Sequence, residues 1–222
     1  MAESFVARLR RRAAQQGVRR TLAKLWGDHV FRHSESVILE CNPELLRAGD
    51  PRAAEGIEFL TLRRGDAVPP LCPWLAHRRG DFDAMLADGK LGLFVLRDGV
   101  AVGCVWVSIE DHHDPKAREH YRVAPGEAYH YSLLVEPEER RRGTSMAFSR
   151  YFVSSLRSLG IQRQFGVVDR ANRASYQVLS HFGYRECGVR VRHFYLLHTR
   201  WTRVSSYAGT LGLSEPRRRR RA

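Results

Sequence analysis

No run of about 18 consecutive apolar residues occurs in the 222-residue sequence, so no membrane-spanning helix is expected. The first residues are basic but lead into neither an apolar core nor a small-residue cleavage site, which argues against a secretory signal. Cysteine is scarce. Cys41, Cys72, Cys104 and Cys187 are widely spaced, with no CxxC pair and no histidine spacing suited to zinc. A reducing, cytoplasmic setting is expected on that ground, with Cys104 an ordinary buried thiol in an apolar run. Two phosphate-binding patterns are also missing: neither GxxxxGK[ST] nor GxGxxG appears, which excludes a Walker A loop and the dinucleotide fingerprint.

What is present has the balance of a soluble globular chain, 43% hydrophobic and 27% charged, and is long enough for one sizeable core. The net charge of +13 is uneven. Residues 1–33 hold eight Lys/Arg against two acids, and Arg217–Arg221 face only Glu215, so the middle of the chain is nearly neutral. That pattern indicates basic arms on an ordinary domain rather than a fold with one basic face. Residues 1–55 read as an N-terminal extension, 56–201 as the main domain and 202–222 as a basic, flexible tail.

Within the extension, Val18, Leu22, Leu25, Trp26 and Val30 recur at helical spacing with Arg19, Arg20 and Lys24 between them. One or two basic amphipathic helices are expected over 3–31, packing on the core or lying on an anionic membrane surface. Ser36–Cys41 reads as a short strand, with a polar linker after it through Gly56. Strands are expected at Ile57–Leu62, Leu91–Leu96 and Val100–Ile109, the last two joined by the hairpin dipeptide Asp98-Gly99. A short helix is expected at Asp81–Leu86. Asp111–Gly126 reads as a polar loop, and its Asp111-His112-His113-Asp114 run as a solvated turn rather than a metal site.

Glu127–Val135 is expected to be a strand, with Tyr129, Tyr131 and Leu133 on one face and His130, Ser132 and Leu134 on the other. Gly143–Leu159 reads as a helix with Phe148, Phe152, Leu156 and Leu159 as its buried stripe. A strand at Gln164–Val168, a helix at Arg173–His181 and an extended run from Tyr184 to Leu197 complete a mixed sheet covered by helices.

The informative stretch is Val135-Glu-Pro-Glu-Glu-Arg140-Arg-Arg-Gly143-Thr-Ser145. A strand ends, basic residues and a glycine come next, and a helix begins. A helix start leaves backbone N–H groups without partners at the positive end of its dipole, and an anion such as a diphosphate satisfies them. Val135, Pro137, Arg140 and Gly143 match the V-x-P-x-x-[RQ]-x-x-G-x-[GA] pattern of the GNAT (Gcn5-related) N-acetyltransferases, which this chain resembles. Ser145 replaces the usual Gly or Ala, and Arg141 stands where the family often has glycine. Asn172-Arg-Ala-Ser175 with Phe182-Gly183-Tyr184 after it resembles the family's second motif, at its spacing.

The resemblance implies a GNAT fold: an α/β (α+β) chain with a mixed, mostly antiparallel central sheet flanked by helices, here with an N-terminal basic helical extension. It implies acetyl-CoA as acyl donor, no metal, and an amine acceptor. Leu133 and Val135 would bind the pantetheine arm through their backbone, Arg140, Arg141, Arg142, Gly143, Thr144 and Ser145 the diphosphate, and Asn172 the pantetheine region. The family's usual acid, a tyrosine seven residues after the asparagine, is replaced by Leu179, and its usual glutamate base by Tyr129. His130, Tyr131 and Glu127 are the remaining catalytic candidates. Two alternatives stay open: a CoA-binding domain without catalysis, and an interaction protein whose basic ends bind nucleic acid or an anionic membrane. A homodimer, and a cytoplasmic location with or without peripheral membrane attachment, complete the expectations.

Overall fold

Asp98 and Gly99 both take positive φ, 51° and 77°, the backbone of a type I′ turn whose twist matches the strands it joins. It closes an antiparallel pair, β3 (Leu91–Arg97) and β4 (Val100–Ser108), where the Asp-Gly dipeptide predicts one. Both strands are buried almost throughout, as their near-continuous apolar sequences require.

The computed structural model describes residues 30–43, 56–114, 119–197 and 199–213, with Val18 and Trp26. Apart from Val18, Trp26, Val30 and Phe31, the expected amphipathic helices over 3–31 lie outside the described residues, as do most of the 42–56 linker and Arg217–Arg221. The chain divides into two compact units, a larger one of Ile38–Val168 and Asn172–Cys187, and a smaller one of Met1–Val37, Asp169–Ala171 and Gly188–Ala222.

In the larger unit the strand order is β1-β8-β7-β4-β3-β2, where β1 is Phe31–Cys41, β2 Ile57–Leu62, β7 Glu127–Val135 and β8 Arg163–Asp169. The β2–β3, β3–β4 and β4–β7 pairs are antiparallel and β7–β8 is parallel. The mixed, mostly antiparallel sheet flanked by helices is therefore present. Its described helices are α1 (Pro73–Ala76), α2 (Arg79–Ala87), α3 (Pro137–Arg140), α4 (Thr144–Ser158) and α5 (Arg173–His181). None of the described helices is long and apolar enough to cross a membrane.

The core obeys the periodicities. Phe82 of α2 meets Phe94 and Trp106 with ring centroids 5.8 and 5.5 Å apart. Phe148, Phe152 and Leu156 line the buried face of α4 at intervals of one turn. Leu159, expected on the same stripe, is instead 38% exposed because the helix has already ended and Leu159 forms its cap before Gly160.

Three further expectations are corrected. The strand expected at Ser36–Cys41 is present, but β1 begins earlier, at Phe31, and its Val37 and Leu39 are fully buried. The polar Asp111–Gly126 loop carries a small antiparallel pair, β5 (His112–Asp114) and β6 (Glu119–Tyr121). In the smaller unit β9 (Arg185–Leu196, from Gly188 onward) pairs with β10 (Thr199–Ser206) from Thr199↔Leu196 to Ser206↔Val189. Residues 202–206 are thus strand, not tail. In that unit β9 also neighbours β1, and Glu35 of β1 draws together Arg170, Arg190 and Arg192.

Candidate functional site

β7 and β8 pair for only three positions, Glu127↔Arg163, Ala128↔Gln164 and Tyr129↔Phe165, although both strands run on to Val135 and Asp169. Past Tyr129 the parallel ladder ends. On its other edge β7 stays paired with β4, but the register slips between Cys104 and Trp106, and Ser132 takes a φ of 52°. That is a β-bulge, which bends a strand and re-aims the residues beyond it. The bulge also breaks the simple two-face alternation expected for this strand.

The geometry fixes which backbone groups face the open edge. Glu136 N–H donates to Val102 O at 2.8 Å, towards β4, so the Val135 carbonyl of the same trans peptide points the other way. Arg140 reaches back to that edge, its Nε donating to Val135 O at 2.8 Å.

Beyond Val135 the chain turns through α3 into α4. Gly143 caps α4 in the left-handed region, φ 79°, and a Cβ there would meet no atom within 4 Å. The glycine is therefore required by backbone conformation, and it leaves open space in front of the helix. The first backbone bonds into the helix run from Met146 and Ala147 N–H to Gly143 O, and the preceding N–H groups at Gly143, Thr144 and Ser145 lie at the positive end of the helix dipole. Arg141 and Arg142 are exposed beside it.

The turn is held by a residue that sequence reading passes over. Glu139 is 3% exposed and accepts from Arg97 Nε and Nη2, Arg142 Nη1 and Thr144 Oγ1 at 2.7–3.0 Å. The hydrogen bonds from Arg97 above all, and that from Thr144, outweigh burial and hold its carboxyl below the ordinary range. Thr144 is fully buried as a result, while Ser145 is half-buried.

The catalytic candidates end up in different places. His130 is enclosed: Phe152 and Tyr184 meet its ring edge-on at centroid distances of 5.5 Å, and Gln164 Nε2 lies 3.2 Å from its Nδ1. Burial pushes its pKa down to about 4, against a hydrogen bond to the Phe165 backbone that acts to raise it. The imidazole is neutral and packed, not on an accessible wall. Glu127 sits at the closed end of the β7–β8 pair, bound to Arg163 Nη1 at 2.7 Å and to Ala124 N–H at 3.1 Å. Burial alone would raise its carboxyl, but these bonds outweigh it and keep it ionised. Tyr131 is half-buried next to the bulge, beside His112 and Tyr129. Asn172 caps α5, its Oδ1 accepting from Ser175 N–H at 3.2 Å.

A sequence profile described as the acetyltransferase (GNAT) family matches residues 58–184, more than half of the chain. The chain belongs to the GNAT acetyltransferase family. Among solved structures it is similar to a GCN5-related N-acetyltransferase from Kribbella flavida, at 14% identity and a TM-score of 0.46, over 80% of this chain and 63% of that one. It is similar to a Drosophila protein at 15% identity and a TM-score of 0.51, over 82% and 58%. It is also similar to a glucosamine N-acetyltransferase region of a fungal multi-domain GH3 β-N-acetylglucosaminidase, at 15% and 0.50, over 82% and 22%. The latter two likenesses speak for the fold alone. The chain spans less than two thirds of the length of the solved structures it matches first. No curated protein matches it.

Three features of this GNAT chain escape a reading of its sequence. Glu139 lies in a run of five charged residues that looks like a solvated surface. The bulge at Ser132 leaves no trace in the β7 sequence, and serine is not a residue that signals positive φ. Gly166 is the one with a faint signal: a glycine within the apolar β8 marks close approach, and a Cβ there would fall 2.5 Å from the His130 ring.

Proposed function

We propose that the chain is an N-acyltransferase that moves an acetyl or other short acyl group from acyl-CoA to a primary amine. The observation that carries this reading is the open edge of β7, running from the end of the β7–β8 ladder directly into the left-handed Gly143 and the start of α4. An elongated ligand with an amide-bearing arm and a terminal diphosphate fits that sequence of groups. The arm would add to the edge as a strand, bonded by the backbone of Leu133 and Val135. The diphosphate would meet the N–H groups of Gly143, Thr144 and Ser145, flanked by Arg140, Arg141 and Arg142. Asn172, fixed as the cap of α5, would face the pantetheine region.

The donor supplies an activated acyl thioester; the chain must then place a neutral amine against it and provide a proton for the sulfur. The new C–N bond replaces the C–S bond, and one amine proton ends on the departing sulfur. Tyr131, adjacent to the bulge and with its hydroxyl buried, is the candidate we place in that proton transfer. Glu127, already ionised in its pair with Arg163, and His130, enclosed and neutral, would position β7 rather than exchange protons.

A second reading, CoA binding without turnover, is favoured by one observation. The position of the family's usual acid holds Leu179, which is 3% exposed, and the nearby Tyr176 hydroxyl is committed to Glu186 at 2.8 Å. Calorimetric titration of acetyl-CoA into the wild type and Gly143→Asp, then a thiol-release assay on an amine panel, separates the two. Binding lost in the variant together with turnover supports the enzyme. Binding without turnover on any amine favours the second reading, and no binding to the wild type overturns both.

A further inference from the structure

The division into two units partitions the charge completely. Residues 1–37, 169–171 and 188–222 hold eighteen Lys/Arg against five Asp/Glu, the whole of the chain's +13, while the larger unit holds nineteen of each. The acyl-donor site proposed above lies in a unit of zero net charge, so the basic unit is not needed to account for it. Such a concentration of one sign draws a polyanion.

The β9–β10 hairpin shows which kind. Residues opposite one another in an antiparallel pair share a face, so Phe194 and Trp201 lie together, with Arg192 and Arg203 next on the same face. Phe194 and Trp201 stack with centroids 5.2 Å apart and planes 6° from parallel, and His33 of β1 continues the row 4.8 Å from Phe194. Trp201, on the last strand of the sheet, is the outer ring and is 40% exposed. On the opposite face Tyr195 lies between the guanidinium groups of Arg32 and Arg200, 4.2 and 5.0 Å from its ring centre.

We infer that the smaller unit binds single-stranded nucleic acid, stacking unpaired bases on the Trp201–Phe194–His33 row and holding phosphates with Arg203. Rings set among arginines on a strand surface are what single strands require, since every base offers a π-face. A duplex keeps its bases stacked inside and would leave the row without a role. A bilayer surface requires a continuous apolar face, but the exposed Trp201 and Val204 are on opposite faces of the hairpin.

The test is fluorescence anisotropy of the full chain with short end-labelled single-stranded RNA and DNA, the matching duplex, and phosphatidylserine vesicles. Single strands are expected to bind more tightly than duplex, with affinity falling steeply as salt rises. Trp201→Ala should weaken single-strand binding roughly tenfold or more, while Trp201→Phe retains most of it. Arg203→Gln, at an exposed position, should lower the slope of log affinity against log salt by about 0.7. Acetyl-CoA titration and far-UV spectra of each variant should be unchanged, which separates this site from the acyl-donor site. No binding of single strands, equal affinity for duplex, binding to vesicles alone, or indifference to Trp201→Ala would overturn the inference.

Discussion

Arg97, at the end of β3, forms a two-point ion pair with Glu139, its Nε and Nη2 each 2.8 Å from a separate carboxylate oxygen. The pair ties the turn before α4 to a central strand, and the same carboxylate orients Arg142 and Thr144. Glu139→Gln leaves the buried Thr144 and the part-buried Arg97 facing an amide. It should cost about 1–3 kcal/mol of stability, the usual penalty for leaving such donors poorly satisfied. If the turn holds a diphosphate, acetyl-CoA affinity should fall as well, although Glu139 repels anions. Urea denaturation beside calorimetry checks both; stronger acetyl-CoA binding in the variant would show that Glu139 acts only as a repelling charge.

Gly143 poses a different question, because nothing crowds it. With open space around its Cβ position and φ at 79°, Gly143→Ala meets a backbone penalty alone. A loss of about 1 kcal/mol is expected. Gly166→Ala should be worse: its new methyl would lie 2.5 Å from the buried His130 ring, and overpacking of that kind costs about 1–3 kcal/mol. Thermal melts of the two alanine variants should rank them in that order.

His130 makes stability depend on acidity. Its folded-state value is about 4, against 6.5 for the free side chain, so the fold favours the neutral ring. Above pH 6.5 both states are neutral and the stabilisation is complete. As pH falls from 6.5 towards 4 the unfolded chain binds the proton first and stability drains away, on the order of 3 kcal/mol in all. Below that range both states are protonated and this loss stops. Chemical denaturation at neutral pH and near the lower limit should show a shallower difference in His130→Asn than in the wild type.

Much of the larger unit was legible because its signals are local. Asp98-Gly99 dictates its own turn, the 3.6-residue stripe of α4 shows its buried face, and Asn172 caps the helix it precedes. The family motif likewise depends on adjacent residues. The features that could not be read depend on partners distant in sequence. Nothing in TRWTRVSS says that it will pair with β9, and β1 looked like an appendage because its neighbours lie more than a hundred residues away. The burial of His130 results from Gln164, Gly166, Phe152 and Tyr184 converging on it, none of which its own strand reveals.

Leu39 tests whether β1 is an appendage or part of the sheet. It is fully buried, and Leu39→Ala should cost about 2–5 kcal/mol. An appended extension would predict a change near zero. Denaturation midpoints distinguish the two directly.

The position of β1 also sets an order in time. Cys41 lies against Gln164, and Glu35 against Arg170 and Arg192, across separations of 123, 135 and 157 residues. The ribosome makes β1 well before β8 and β9, the strands that flank it. While the β3–β4 hairpin closes on local contacts, β1 must wait for both to emerge. β1 is therefore made long before it can be enclosed, and the nascent chain carries Val37 and Leu39 uncovered until β8 and β9 follow.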